Sequence, residues 1–81
     1  MIRPESIIKY VLISGWDEFH LKKRNDLRVF QKESKFGFFQ VTVPLDGTLG
    51  DFEQAIAEAV KEIAKEEKKP ASEIAEKIAS Y

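Results

Sequence analysis

The sequence contains a single histidine, His20, the one side-chain type whose ordinary pKa lets it exchange a proton near neutral pH. Glu18 stands two residues earlier, so in a strand both side chains lie on one face and the carboxylate can orient the imidazole. Nucleophilic catalysis also needs a serine, threonine or cysteine that this base activates. We interpret the isolated His20 as an ordinary surface histidine, and predict that the chain is not an enzyme and has no catalytic residues.

Metal and phosphate sites leave recognisable spacings in a sequence. This chain has no cysteine, and a lone histidine in a strand offers no metal-ligand spacing. Its four glycines are dispersed, without the GxGxxG or Walker pattern that holds a phosphate. Asp46 and Asp51 bracket a glycine turn but lack the run of oxygen ligands found in a calcium loop. We predict no metal, no cofactor and no small-molecule substrate.

The remaining feature that could bind a partner is a mixture of aromatic and polar residues at even-numbered positions in the middle of the chain. Alternation with period two puts even-numbered side chains on one face of a sheet. Phe30 and Phe38 would then point away from the core, where large apolar anchors with a polar rim suit a protein interface. We predict a protein interface formed by Phe30, Phe38 and Gln40.

A second interpretation assigns the same face to nucleic acid. Aromatic rings stack on bases while Lys and Arg hold phosphates, which is what a platform for single-stranded nucleic acid needs. The candidate phosphate contacts are Lys22, Arg28 and Lys32. Ordinary cross-strand packing, in which the face binds nothing, is the third alternative.

Charge is divided unevenly along the chain, although the formal net charge is only -1. Residues 1–45 hold eight Lys or Arg and five acids, whereas residues 46–81 hold five Lys and nine acids. Six of those eight basic residues lie between Lys22 and Lys35. A polyanion would therefore bind the middle of the chain and be repelled by its C-terminal part, although exposed Lys and Arg also serve simply to keep a sheet soluble.

Hydrophobic periodicity indicates which elements position these residues. Pro4 suits the first turn of a helix, and the apolar spacing that follows predicts a first helix over about residues 4–14, ended by Gly15. From residue 16 to residue 45 the period becomes two, which predicts three antiparallel strands whose odd-numbered face lies on the core. The apolar residues on that face are Phe19, Leu21, Leu27, Val29, Phe39, Val41 and Val43.

The two hairpin turns decide which residues pair. A three-residue loop at Arg24-Asn25-Asp26 pairs Leu21 with Val29 and keeps the odd face apolar, whereas a two-residue turn would scatter the apolar residues over both faces. The second turn lies within Glu33-Ser34-Lys35, and the pattern does not set its length. Pro44 ends the third strand, because proline lacks the N–H that a ladder needs.

Two further helices follow the sheet. Apolar residues at helical spacing predict the second over about residues 49–68 and, after Pro70, the third over about residues 70–80. The result is one α+β domain over residues 1–81, in the order α-β-β-β-α-α, with a three-stranded antiparallel sheet packed on one face by helices. No stretch approaches the ~18 apolar residues of a membrane span and no signal peptide opens the chain, so we predict a cytoplasmic protein without a membrane partner.

The order of a helix, Gly15-Trp16, a basic strand, a tight loop and a strand ending in Val41-Thr42-Val43-Pro44 resembles the HicA family over about residues 5–60. That resemblance implies a double-stranded-RNA-binding-domain-like fold and the toxin role of a toxin-antitoxin pair that acts on mRNA. The Gly-Ser-His motif of the family, which contains its catalytic histidine, falls here on Arg24-Asn25-Asp26, where no histidine stands. The resemblance therefore implies binding of RNA or of a partner without cleavage.

The C-terminal stretch from Glu66 to Tyr81 departs from HicA. With Phe52-Glu53 opening one helix and Pro70-Ala71-Ser72 opening another, this part is similar to small uncharacterised bacterial and cyanobacterial proteins. A domain of this size also gains stability when a partner covers an apolar surface. We predict a non-enzymatic binding module that pairs with itself or with another protein through the outer sheet face. The alternative is a HicA-like RNA-binding component of a toxin-antitoxin system.

Overall fold

The computed structural model describes residues 2–22, 25–48 and 50–81 and has the predicted α-β-β-β-α-α order. The helices are α1 (Pro4–Ile13), α2 (Phe52–Glu67) and α3 (Ala71–Ala79). The strands are β1 (Asp17–Phe19), β2 (Leu27–Ser34) and β3 (Gly37–Pro44). They form an antiparallel sheet in the order β1-β2-β3, so β2 is central and the other two are edge strands. The predicted fold class is confirmed.

The first helix ends at the glycine that the sequence indicated. Gly15 has a φ of +91°, a left-handed conformation that costs glycine no Cβ clash. Its neighbour Trp16 donates its backbone N–H to the Val11 carbonyl at 3.0 Å, which closes the last turn in the manner of a Schellman motif. This reversal places the indole of Trp16 in the core and directs the chain into β1.

One continuous hydrophobic core lies between the helices and one face of the sheet. Because every element except β1 contributes a fully buried side chain, the two halves of the chain stabilise each other. The fully buried side chains are Ile7, Val11, Phe30, Val41, Val43, Ile63, Ile74 and Ile78.

The register predicted for the first hairpin is wrong by two residues. Val29 pairs with Phe19 and not with Leu21. β1 ends at Phe19, so the connection to β2 is longer than the predicted three-residue loop. Within that connection, Lys23 and Arg24 lie outside the described residues. A shift of two residues keeps every side chain on its own face, so odd-numbered residues of β1 and β2 still share a face.

The second turn lies later than predicted. It consists of Lys35-Phe36, because Ser34 and Gly37 already pair across the two strands. Gly37 has a φ of +126°, which only glycine adopts at low cost. Ser34, which the sequence predicts to lie within the turn, is instead the last residue of β2.

This two-residue turn overturns the predicted odd-numbered core face of β2. It pairs odd-numbered residues of β2 with even-numbered residues of β3, as in Val29 opposite Thr42 and Phe30 opposite Val41. The even-numbered residues of β2 therefore face the core together with the odd-numbered residues of β3. The physical reason lies in the adjacent apolar residues Val29 and Phe30, of which the larger takes the central core position.

The helical boundaries of the C-terminal part are close to prediction. α2 begins at Phe52, after a turn that includes Gly50 and Asp51, whereas the predicted first residue, Leu49, lies outside the described residues. α2 is followed by Lys68 in the left-handed conformation, and α3 begins directly after Pro70. Within the described residues, no helix has the length and apolar character needed to cross a membrane.

A hydrogen bond fixes the N-terminal helix against α2. The Tyr10 hydroxyl donates to the Glu67 carboxylate at 2.6 Å, and the ring of Tyr81 packs edge-on against that of Tyr10. Burial and the adjacent Glu67 carboxylate raise the pKa of Tyr10, so its hydroxyl remains a donor throughout the physiological range.

Candidate protein interface

The sheet has an outer face that points away from the helices. Paired residues of antiparallel strands direct their side chains to the same side, so the register defines which residues lie there. The outer face consists of Asp17 and Phe19 from β1, Leu27, Val29, Gln31 and Glu33 from β2, and Phe38, Gln40, Thr42 and Pro44 from β3.

Two phenyl rings are exposed at opposite corners of this outer face. Phe19 is 51% exposed and Phe38 is 60% exposed. Phe19 lies on the edge strand β1 and Phe38 on the edge strand β3. Between the two rings lies an amide pair, in which the Gln31 side chain donates to the Gln40 side chain at 3.2 Å. The face therefore presents separate apolar anchors around a polar centre.

Phe30 does not lie on the outer face, and its predicted exposure is wrong. Its side chain is 0% exposed and packs in the core beneath the helices. The guanidinium of Arg28 stands 5.5 Å from the centre of its ring. Of the predicted interface, Phe38 and Gln40 are exposed on one face, and Phe30 is on the other.

Arg28 lies on the same inner side and is bound to a carboxylate. Its Nε and Nη2 donate to the two carboxylate oxygens of Glu18, at 2.8 and 2.5 Å. These hydrogen bonds hold the pKa of Glu18 below its ordinary value and raise the pKa of Arg28. A guanidinium held in this fork geometry has donors committed within the chain.

Lys32 is also held within the fold. Its Nζ donates to the Ser14 carbonyl at 2.9 Å and to the Glu66 carboxylate at 3.2 Å. Glu66 is buried, so Lys32 provides the charge that balances it. This ammonium joins β2 to the end of α1 and to α2.

Of the three predicted phosphate contacts, Arg28 and Lys32 are ion-paired, whereas Lys22 is exposed and has no ion pair among the described residues. Lys22 lies in the turn after β1. The structure thus does not bring Lys22, Arg28 and Lys32 together on the outer face. That face carries two carboxylates, Asp17 and Glu33, and no Lys or Arg among its described residues. Its electrostatic character is weakly acidic.

Sequence reasoning missed Phe19 on the outer face and Glu66 on the inner side. It assigned Phe19 to the core, because it carried the odd-numbered pattern of β3 across a turn that changes the pairing. It also made no assignment for Glu66, which is buried and lies three residues after Ile63 and seven after Ala59. That spacing puts Glu66 on the apolar stripe of α2, which is a signal for a buried, paired carboxylate.

The described residues contain no group of three or more His, Cys, Asp or Glu side chains that could hold a metal ion. His20 is exposed just after β1. The absence of a cofactor and of catalytic activity stays a prediction from the sequence.

The fold and surface define a small α+β domain with helices on one side of a three-stranded sheet and a mixed aromatic and amide face on the other. Comparison of the chain with family models, with curated proteins and with solved structures gave no match. The resemblance to HicA stays a prediction that depends on the sequence motifs alone.

Proposed function

We propose that this chain is a small cytoplasmic binding module that contacts another protein chain through the outer sheet face, with Phe38 as an anchor. The supporting observation is the composition of that face, where two exposed phenyl rings flank a hydrogen-bonded amide pair. Exposed aromatic rings with a polar surround are typical of protein interfaces. Gln40 and Phe19 complete the proposed contact.

The charges on the outer face favour a protein partner over RNA. Phosphate recognition needs several cations along the path of the backbone. Arg28 and Lys32 are instead paired with carboxylates on the inner side, and the outer face carries Asp17 and Glu33. The RNA-binding alternative, which the resemblance to HicA implies, would need a different surface.

Photo-crosslinking from position 38 tests the proposal directly. Phe38 is replaced by p-benzoylphenylalanine, which keeps an aromatic ring at the site, and the chain is irradiated in the cells that produce it. A matched control places the same residue at Ile13, which is 67% exposed at the end of α1 and outside the sheet. We expect a protein adduct from position 38 and none from position 13.

The mass of the adduct identifies the partner. An adduct of twice the chain mass indicates a second copy, and any other protein mass indicates a heterologous partner. The proposal is contradicted by equal adducts from both positions, by no adduct from position 38, or by an adduct that ribonuclease removes.

Salt dependence separates the protein interface from RNA binding. Apolar association persists or strengthens at high ionic strength, whereas phosphate contacts weaken steeply. We expect Phe38→Ser to abolish the association and Lys22→Glu to leave it unchanged. The opposite result, with loss only in Lys22→Glu and at high salt, would support the RNA alternative.

A further inference from the structure

A groove runs between β3 and α2, at the edge of the sheet that no strand covers among the described residues. Its volume is about 420 Å³. One wall is the strand from Gln40 to Pro44, and the other is a stripe of α2 and its N-terminal turn. The acidic side chains of that stripe are Asp51, Glu58 and Glu62.

The hydrogen-bond pattern shows which main-chain groups of β3 point into this edge. Leu45 donates its N–H to the Asp26 carbonyl at 2.9 Å, and this pair continues the register of β2 and β3. Hydrogen-bonded pairs alternate along an antiparallel ladder, so odd-numbered residues of β3 point to β2. The N–H and C=O groups of Phe38, Gln40 and Thr42 consequently point to the open edge.

These three residues have no described main-chain hydrogen bond to another element. A row of free N–H and C=O groups is a template for the main chain of an added strand. We propose that the groove binds an extended basic peptide of a partner protein as a fourth, antiparallel or parallel strand beside β3. This inference does not depend on the proposed outer-face interface, because it uses the main chain of the edge and the wall formed by α2, although Gln40 borders both surfaces.

Charge identifies the occupant. The described lining of the groove contains three carboxylates and no Lys or Arg. Of these, Glu62 has the Lys65 ammonium at 3.7 Å, although Lys65 is not itself a lining residue. A second copy paired edge to edge would bring Glu58 and Glu62 of both copies together, and like charges disfavour that arrangement. A peptide with Lys or Arg is the complementary occupant.

The alternation of side chains along an added strand makes the expected peptide sequence more specific. Successive side chains of a strand point to opposite faces, so only every second residue of the peptide faces α2. Those residues would meet Glu58 and Glu62, whereas the others would continue the outer face beside Gln40. The preferred sequence therefore has a basic residue at every second position, separated by β-branched or other strand-forming residues.

The probe is a synthetic peptide of four alternating lysine-valine pairs, as long as the eight residues of β3. Controls are a peptide of four lysines followed by four valines, and a peptide with glutamate in place of lysine. Amide hydrogen exchange of the full chain is followed by NMR. At a peptide concentration of ten times the Kd, we expect roughly tenfold slower exchange at Phe38, Gln40 and Thr42.

Gln40→Pro is the decisive variant. It removes one N–H that points to the open edge and none that bonds to β2, so the fold should persist. We expect this variant to lose the slowed exchange and measurable peptide binding. Val41→Pro, in contrast, removes both an N–H directed at β2 and a fully buried side chain, so it should unfold the sheet.

Charge reversal on the helix wall has a smaller effect. Because Glu58 is exposed, we expect Glu58→Lys to weaken binding about three- to fivefold. Glu53→Lys, on the same helix but outside this groove, should leave binding unchanged.

The inference is overturned if Gln40→Pro folds and still binds the alternating peptide, or if the block and glutamate peptides bind equally well. It is also overturned if the three edge amides become protected with rising protein concentration alone, since a second copy would then occupy the edge. Phe38→Ser keeps the edge N–H and should retain peptide binding, so the failure of this proposal and that of the outer-face interface are distinguishable.

Discussion

The two faces of the sheet do not follow a simple rule of polar outside and apolar inside. The inner face carries Arg28 and Lys32, each bound to a carboxylate, around the fully buried Phe30. The outer face carries the exposed Phe38 and an amide pair. Long basic side chains can line a small core, because their methylene stems pack while their charged ends reach a partner.

What decides between the faces is the length of one turn. A two-residue turn at Lys35-Phe36 pairs odd with even residues, whereas a three-residue loop pairs odd with odd. Since β2 contains two adjacent apolar residues, Val29 and Phe30, either of its faces could have lain on the core. The turn selects the face that buries the larger side chain, Phe30.

Substitution of Phe30 and Phe38, which lie on opposite faces, should give the largest difference in the free energy of unfolding. Phe30→Ser removes a fully buried ring and leaves a buried hydroxyl, so we expect a loss of about 3–5 kcal/mol in the free energy of unfolding. Phe38→Ser should cost less than about 1 kcal/mol. Urea unfolding measures both, and equal losses would contradict the assigned faces. If Phe30→Ser does not fold, Phe30→Leu should still cost more than Phe38→Leu.

Removal of the inner lysine should have the next largest effect. Lys32→Ala leaves the buried Glu66 carboxylate without its cation, and we expect a loss of about 2 kcal/mol because the pair is only partly buried. Replacement of both partners by Lys32→Met and Glu66→Leu should restore most of that loss. Lys35→Ala, at the exposed turn, is the control and should change stability by less than about 0.5 kcal/mol.

The Glu18 and Arg28 pair should give a smaller effect that depends on pH. Since the folded-state pKa of Glu18 is lowered, its contribution is present above the unfolded pKa of about 4.3 and is lost as the pH falls through the folded value. We expect Glu18→Gln to cost about 0.5–1 kcal/mol at pH 7. Thermal unfolding should show no difference from the parent chain near pH 2, and a constant difference at all pH values would contradict this assignment.

The outer-face amide pair should matter least for stability. Gln31 and Gln40 are joined by an exposed hydrogen bond that water can replace, so Gln31→Ala should cost less than about 0.5 kcal/mol. A larger loss by chemical denaturation would mean that the outer face is a stabilising element and not a surface free for a partner.

The sequence predicted the number, order and type of the elements because each has a clear apolar period or a decisive residue, such as Gly15 at the end of α1. It did not predict the register of β2 and β3, because this register depends on the length of the second turn. The residues Glu33-Ser34-Lys35 do not determine that length. The candidate site was recovered in part. Phe38 and Gln40 lie on the outer face, whereas Phe30 was placed there by extending one parity across β2. Partners of Lys32 lie far away along the chain, and no local pattern reveals them.

The contact of Lys32 with Ser14 and Glu66 also has a consequence for the lifetime of the native state. Its partners lie 18 and 34 residues away along the chain, whereas the β2 and β3 strands meet across a two-residue turn. Local hairpins form early and distant contacts late, because long loops must close first. A contact absent from the folding transition state acts on the unfolding rate alone. We therefore expect Lys32 to set how long the folded chain survives between openings, with little influence on how fast it folds.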